Sequence, residues 1–393
     1  MRIRKCVRGI LCAAAALALA AVPALAEGVS LVEIPSAWGN SLVRYPVVDG
    51  ITDETLQQAV DEQIKADLDT DTYFNRMMIL MSEESLRIET SWEGGVLGDV
   101  ISCIVSAEGA LADSRSTHRW TWSNIDLRDG HEITLDELFT DGEAARETLE
   151  EYLDFEVAPE LSAHLANSEL TPLPEGFRLE RTGLTLLYPV DRLSTLRDRA
   201  GAVKIGWNEI REYLDLSDDG IPARIGAAEM ITLTDDSAAR IREMAEVGRL
   251  PDIPVKIGDG LKDLTDHWHM LTDPDVYEGG RLFALEGACF RNVFLMTDFL
   301  SEKWDSSIVQ GIRMDRGCAW GLCIGETAQE DWLEILGKPD AETELDADLA
   351  EAYRMEPGAC DYYNYGTYQL RLYSDTDGIL SSIVLTELTE NGG

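Results

Sequence analysis

Apolar residues along this chain recur at two spacings, and the switches between them mark where strands should give way to helices. Residues 31–34 and 41–48 read as extended. Over 52–68, Leu56, Ala59, Val60, Ile64 and Leu68 fall at helical spacing, with Thr52 or Asp53 placed to cap the first turn. Alternation then takes over. Leu86, Ile88, Thr90 and Trp92 predict a half-buried strand, and 99–107 and 117–125 continue in kind, with breaks expected at Gly94-Gly95 and Gly109. Asp129-Gly130 is a hairpin-turn pair. Helical stretches are expected over 134–138 and 143–153, a hairpin over 177–180 and 183–188, a short strand over 203–206 and a helical turn over 207–213. Helices beside antiparallel strands make the fold class α+β.

Residues 226–254 read as a linker with one short amphipathic helix, and the prolines of Leu250-Pro251-Asp252-Ile253-Pro254 stiffen its end. Beyond it the sequence echoes itself. Ile257-Gly258-Asp259 before a helical pattern returns as Ile324-Gly325-Glu326-Thr327 before the helix over 328–336. Phe294-Leu295-Met296-Thr297-Asp298 returns as Arg371-Leu372-Tyr373-Ser374-Asp375, and Ser306-Ser307-Ile308-Val309 as Ser381-Ser382-Ile383-Val384. Each unit is expected to be a helix followed by a strand hairpin, two units sharing one sheet. Two domains follow from this reading, 27–225 and the tandem repeat of 255–393.

The first 26 residues stand apart. Arg2, Arg4, Lys5 and Arg8 precede an uncharged run over 9–22, and Pro23 and Ala24-Leu25-Ala26 complete the pattern of a signal peptide cut near Ala26. The apolar core, about 14 residues, falls short of the roughly 20 that span a bilayer. A secreted, extracytoplasmic chain with no membrane span is therefore expected. Its cleavage takes the formal charge from −40 to −44. Such acidity excludes phosphate-neutralising nucleic-acid binding as a main role and disfavours anionic membrane surfaces. It favours basic partners or divalent cations.

Candidate chemistry is thin. Beyond the leader's Cys6 and Cys12 lie Cys103 and four cysteines in the last third, Cys289, Cys318, Cys323 and Cys360, which are the disulfide candidates outside the cytoplasm. Asp263, His267 and His269 are a weak metal set, since a third ligand is not predictably placed. Asp375-Thr376-Asp377-Gly378 resembles the start of a calcium loop but lacks its closing Glu, and a hairpin turn is the preferred reading. No Gly-x-Ser-x-Gly elbow occurs, and acid–base carboxylates cannot be singled out among 73 acidic residues. No cofactor is expected. Trp120 and Trp122 share a strand face, where packing in a sheet is favoured over stacking on sugars.

Two stretches carry a resemblance. Tyr45-Pro46-Val47-Val48-Asp49-Gly50 leads into a helix, and Asn124-Ile125-Asp126-Leu127-Arg128-Asp129-Gly130 is followed by Ile133-Thr134-Leu135-Asp136-Glu137-Leu138-Phe139. Together they resemble the secreted domain of the RsiV anti-sigma factor and of the PdaC peptidoglycan deacetylase, over residues 40–216. That family has a small-residue loop with a His before the Asn strand; here Ser116-Thr117-His118-Arg119 keeps the His and replaces the glycines. More weakly, 255–390 resembles tandem domains of the beta-lactamase-inhibitor-like fold, which are mostly binding or assembly modules. The resemblance implies binding, without catalysis, of lysozyme or cell-wall glycan. The ligand-binding set selected is Tyr45, His118, Arg119, Trp120 and Trp122. Alternatives are a peptidoglycan-modifying hydrolase and an extracellular scaffold.

Overall fold

The computed structural model describes residues 28–38, 41–69, 71, 87–110, 116–154, 173–187, 202–266, 274–285, 292–298 and 306–388. The leader read over residues 1–26 lies outside them. Strands β1 (Ser30–Trp38), β2 (Ser41–Asp49), β3 (Arg87–Leu97), β4 (Val100–Ala110) and β5 (Ser116–Asp126) lie side by side in chain order. All neighbours are antiparallel except β2 and β3, which meet in parallel at Leu42 and Glu89. Helix α1 (Glu54–Asp67) starts where the sequence places it, because the Asp53 carboxylate accepts from the amides of Thr55 and Leu56. Its apolar stripe, Val60 and Ile64, continues into Leu68 and packs on Ile101, Cys103 and Val105. The break expected at Gly94-Gly95 falls later. β3 runs through both glycines because Gly94 is held against β4, where a Cβ would meet the Ser102 carbonyl oxygen at 2.2 Å, and the chain turns instead at Gly98-Asp99.

A 3-10 turn (Leu135–Leu138) and helix α2 (Gly142–Tyr152) cover a second sheet of β6 (Gly176–Leu179), β7 (Gly183–Leu187) and β8 (Ala202–Gly206). The core between them holds Leu138, Leu149, Leu184, Val203, Ile205 and Trp207. Helices α3 (Ile221–Arg224) and α4 (Ala227–Ile231) add Ile221, Ile225, Ala227 and Ile231 to it. Helix α5 (Ser237–Glu246) turns Ile241, Met244 and Ala245 into a different core. Residues 226–254, read as a linker with a short helix, do contain that helix, and most of their apolar residues, though not the exposed Val247, are buried in two cores in succession.

The second core lies on an eight-stranded antiparallel sheet. Helix α6 (Leu261–Asp266) precedes β9 (Asp275–Tyr277), β10 (Gly280–Ala284), β11 (Val293–Thr297) and β12 (Gly311–Met314). After a hairpin of β13 (Cys318–Ala319) and β14 (Leu322–Cys323) come helix α7 (Gln329–Leu336), β15 (Ala341–Leu345), helix α8 (Ala347–Tyr353), β16 (Gly358–Tyr365), β17 (Tyr368–Ser374) and β18 (Leu380–Glu387). The strand order β15-β16-β17-β18-β12-β11-β10-β9 sets two four-strand units edge to edge, with β12 antiparallel to β18 at the seam. Two of the three echoes occupy matching places: 257–259 and 324–327 each precede a helix, and 294–298 and 371–375 lie on and just after β11 and β17, whereas 306–309 precedes β12 and 381–384 lies within β18. Asp375–Gly378 is a turn between β17 and β18, its Asp375 carboxylate accepting from the amides of Asp377 and Ile379.

The β13–β14 hairpin joins the two cores. Cys318 and Cys323 form a disulfide and belong to the first core, whereas Ala319 and Leu322 belong to the second. Its turn places Trp320 at φ 53° and Gly321 at φ 88°, and a Cβ on Gly321 would lie 2.4 Å from the Leu233 backbone. Replacing both cysteines, Cys318→Ser with Cys323→Ser, releases a short loop in the unfolded chain. The expected loss is about 2 kcal/mol from loop closure alone. Denaturant unfolding of the double variant beside the disulfide-bonded parent checks this, and an unchanged midpoint contradicts it.

Candidate functional site

The residues selected from the sequence do not form one site. Trp120, on β5, is buried among Ile104, Leu187 and Ala202, and Trp122 packs against the same cluster. The Trp122 ring also lies against Gly176, where a Cβ would meet it at 2.7 Å. The two tryptophans share a face, and that face is the contact between the first and second sheets. Tyr45, on β2, packs instead with Val43, Ile88 and Ala107. His118 and Arg119 lie on β5, opposite Glu108 and Ala107, and their side chains lie outside the described residues. Asp263 is on α6, while His267, His269 and Cys289 lie outside the described residues. Cys318 pairs with Cys323, and Cys360 is a buried thiol on β16. Burial pushes Cys103 and Cys360 up to about 12, so neither is a ready nucleophile.

The Asn-x-Asp segment has a structural task. The Asn124 amide accepts from Ser102 Oγ at 2.7 Å and donates to the Phe177 carbonyl at 2.9 Å, tying β4 and β5 to β6. Asp126 is only 1% exposed. It receives a two-pronged hydrogen bond from Arg224, both contacts 2.7 Å, and a further one from the Arg128 amide at 2.9 Å. The same guanidinium donates to Asp99 from Nε at 2.9 Å and pairs with it through Nη2 at 2.7 Å. Burial opposes ionisation of Asp126, but the Arg224 and Arg128 contacts outweigh it and hold the carboxyl down to about 2. Gly98, at φ 58°, lets α3 approach: a Cβ there would lie 2.1 Å from the Arg224 carbonyl oxygen. Sequence reasoning missed Arg224, whose partners are 98 and 125 residues away.

Next to this network, His131 lies between Asp129 (2.6 Å) and Glu137 (2.9 Å). Asp126, Asp129 and His131 have donor atoms within 4.8 Å of one another. Arg224 and Arg128 already occupy the Asp126 oxygens, so the cluster is an ion-pair network in its chemistry. Hydrogen bonds to Asp129 and then Glu137 raise the His131 pKa above 6.5. Whatever stability the charged ring adds is complete below the unfolded value near 6.5 and lost as pH rises through the higher folded value. The expected observation is an imidazole NMR titration with its midpoint above 6.5, moving down in Glu137→Gln.

A different feature has the shape of a ligand site. The second core covers one face of the eight-stranded sheet, and α8 covers only part of the other. Beside α8 lies a hollow of about 280 Å³. Its floor crosses neighbouring strands at Leu282, Met296, Arg313 and Val384, and Tyr277 and Tyr353 stand over it with ring centres 6.3 Å apart. Arg313 is 7% exposed and fully engaged: it pairs with Asp315 at 2.6 Å and donates to the carbonyls of Tyr353 and Arg354. It holds the end of α8 onto the sheet.

No protein-family model matches this chain, and no curated protein does. Among solved structures, a DUF3298-family protein of Bacteroides fragilis is 14% identical with a TM-score of 0.37, covering 51% of this chain and 96% of its own. Another, from Pseudomonas aeruginosa, is 12% identical with a TM-score of 0.31, covering 47% and 92%. The DUF4309-family protein YjgB of Bacillus subtilis is 14% identical with a TM-score of 0.27, covering 39% and 98%. The α+β class stands on the helices and antiparallel sheets described above. Among the described residues, no helix is long and apolar enough to cross a membrane.

Proposed function

We propose that this chain is an extracytoplasmic, non-catalytic binding protein whose partner is a basic protein of the lysozyme kind, with residues 27–225 as an RsiV/PdaC-like domain. The observation that carries the basic partner lies outside residues 27–225: an acidic margin at one edge of the eight-stranded sheet. Edge strand β15 exposes Glu342 and Glu344, and Asp340, Asp346, Asp348 and Glu351 are exposed around it. None of these six forms an ion pair among the described residues. Unpaired charge of one sign along an edge attracts the opposite sign from a distance and speeds encounter. Glycan recognition has less support, because Trp120 is spent on packing and Trp122 packs beside it. Secretion is supported by the leader and by the Cys318–Cys323 disulfide, a bond that persists outside reducing compartments.

The test is charge removal. Glu342→Gln with Glu344→Gln should slow association with lysozyme severalfold at low salt and much less near physiological salt, as stopped-flow mixing reads it. An association rate indifferent to both substitutions at every salt concentration would sink the assignment of this edge.

A further inference from the structure

We infer that the hollow beside α8 is a binding site for a small carboxylate on an apolar or aromatic body, with Arg371 as the receptor of the carboxylate. The inference is independent of the basic-partner reading, which uses the opposite charge and another edge of the sheet. Arg371 projects from β17 on the face that carries Tyr373, and it lines the hollow. Its Nε donates to Gln369 at 2.8 Å and its guanidinium lies over the Tyr362 ring at 5.5 Å, which fixes its plane. Among the described residues, no carboxylate lies within ion-pair distance of it. In a chain with 73 acids and 33 bases, an arginine in a concavity held by Gln369, Tyr362 and Tyr373, with no acid partner among the described residues, is unlike Arg224 and Arg313, each saturated by acids and carbonyls.

The rest of the hollow specifies the body of the ligand. Leu282, Met296 and Val384 give an apolar floor, and the Tyr277 and Tyr353 rings give an aromatic wall. About 280 Å³ admits one amino-acid-sized group and not a folded surface. Two acids temper the site: Glu387, exposed, is the one carboxylate among the described lining residues, and Asp298 stands behind Gln310, which donates to it at 3.2 Å. They disfavour a dianion such as phosphate and leave a single carboxylate as the fitting charge. The ligand chemistry is that of an N-acylated amino acid or of a peptide C-terminus.

The experiment uses the mature protein labelled with 13C at its methionine methyls, titrated with N-acetylphenylalanine, with its carboxamide, and with Gly-Gly-Phe. The expected result is saturable shifting of the Met296 and Met355 methyls, which line the hollow, with the carboxamide at least about tenfold weaker for loss of the charged hydrogen bonds. Arg371→Met should weaken the acid by the same factor while leaving the carboxamide unchanged. If that variant does not fold, the acid and amide comparison on the parent decides alone. Tighter binding of Gly-Gly-Phe than of N-acetylphenylalanine assigns the site to peptide termini, and the reverse assigns it to free acyl amino acids. Equal binding of acid and amide, unmoved Met296 and Met355 methyls, or an acid affinity indifferent to Arg371→Met in a folded variant overturns the inference.

Discussion

Arg224→Met is expected to cost about 3–5 kcal/mol of stability at neutral pH, the range for breaking a buried ion pair by removing one partner. The cause is what remains. Asp126 is 1% exposed and Asp99 is 6% exposed, and both lose the guanidinium that neutralises them. Asp126 keeps the Arg128 backbone amide and a contact from the half-exposed Arg128 side chain, which do not replace the two-pronged bond. The pH dependence has a defined sign. Since Asp126 is held down to about 2, from an ordinary 3.8, its ionisation stabilises the fold above 3.8, and that contribution disappears as pH falls towards 2. The gap between parent and variant should therefore be widest near neutrality and narrow in acid. Urea unfolding at neutral pH and in acid measures it. Arg224→Lys should recover only part of the loss, because an ammonium cannot span two oxygens in the same geometry. Equal midpoints for parent and Arg224→Met at neutral pH would show that the network is not structural.

The second large effect is expected at Trp332 on α7. Its side chain is fully buried in the second core, and Nε1 donates to the Asp361 carboxylate at 2.9 Å. Asp361, 2% exposed on β16, otherwise draws on Gln329 at 3.0 Å. Trp332→Ala removes the ring and one of those two donors, for an expected loss of about 3–5 kcal/mol. Trp332→Phe keeps much of the packing and removes the donor, so about 1–3 kcal/mol is expected from the less satisfied carboxylate. Thermal unfolding of both variants separates the two contributions. A phenylalanine variant as unstable as the alanine variant would mean that the polar contact, and not the packing, holds α7 to the sheet.

What the sequence made legible was local or periodic. The α1 stripe and its Asp53 cap are visible because the capping carboxylate and its amides are two and three residues apart. The echoes at 294–298 and 371–375 gave the pairing of two units on one sheet, because the same short pattern returns on the third strand of each unit. Distant contacts were not legible. Nothing near Asp126 marks Arg224 as its partner, and nothing on α5 distinguishes an apolar stripe that packs in a core from one in a linker. Gly94-Gly95 misled because the same residue type serves turns and close strand contacts alike. The candidate site shows the same limit. Trp120 and Trp122 were placed together on a face correctly, but whether that face meets water or another sheet depends on β6–β8, which only the fold brings there. The hollow could not have been found from sequence, since its floor draws single residues from strands that span more than a hundred positions.

The measurement that tests the proposed role most directly is a calorimetric titration of the mature protein with lysozyme, at low and near-physiological salt, beside cytochrome c as a basic control. The expected result is lysozyme binding that survives physiological salt while cytochrome c binding is lost, because a shaped interface adds contacts that screening does not remove. Parallel loss of both with salt, or no heat with lysozyme at either concentration, would contradict it.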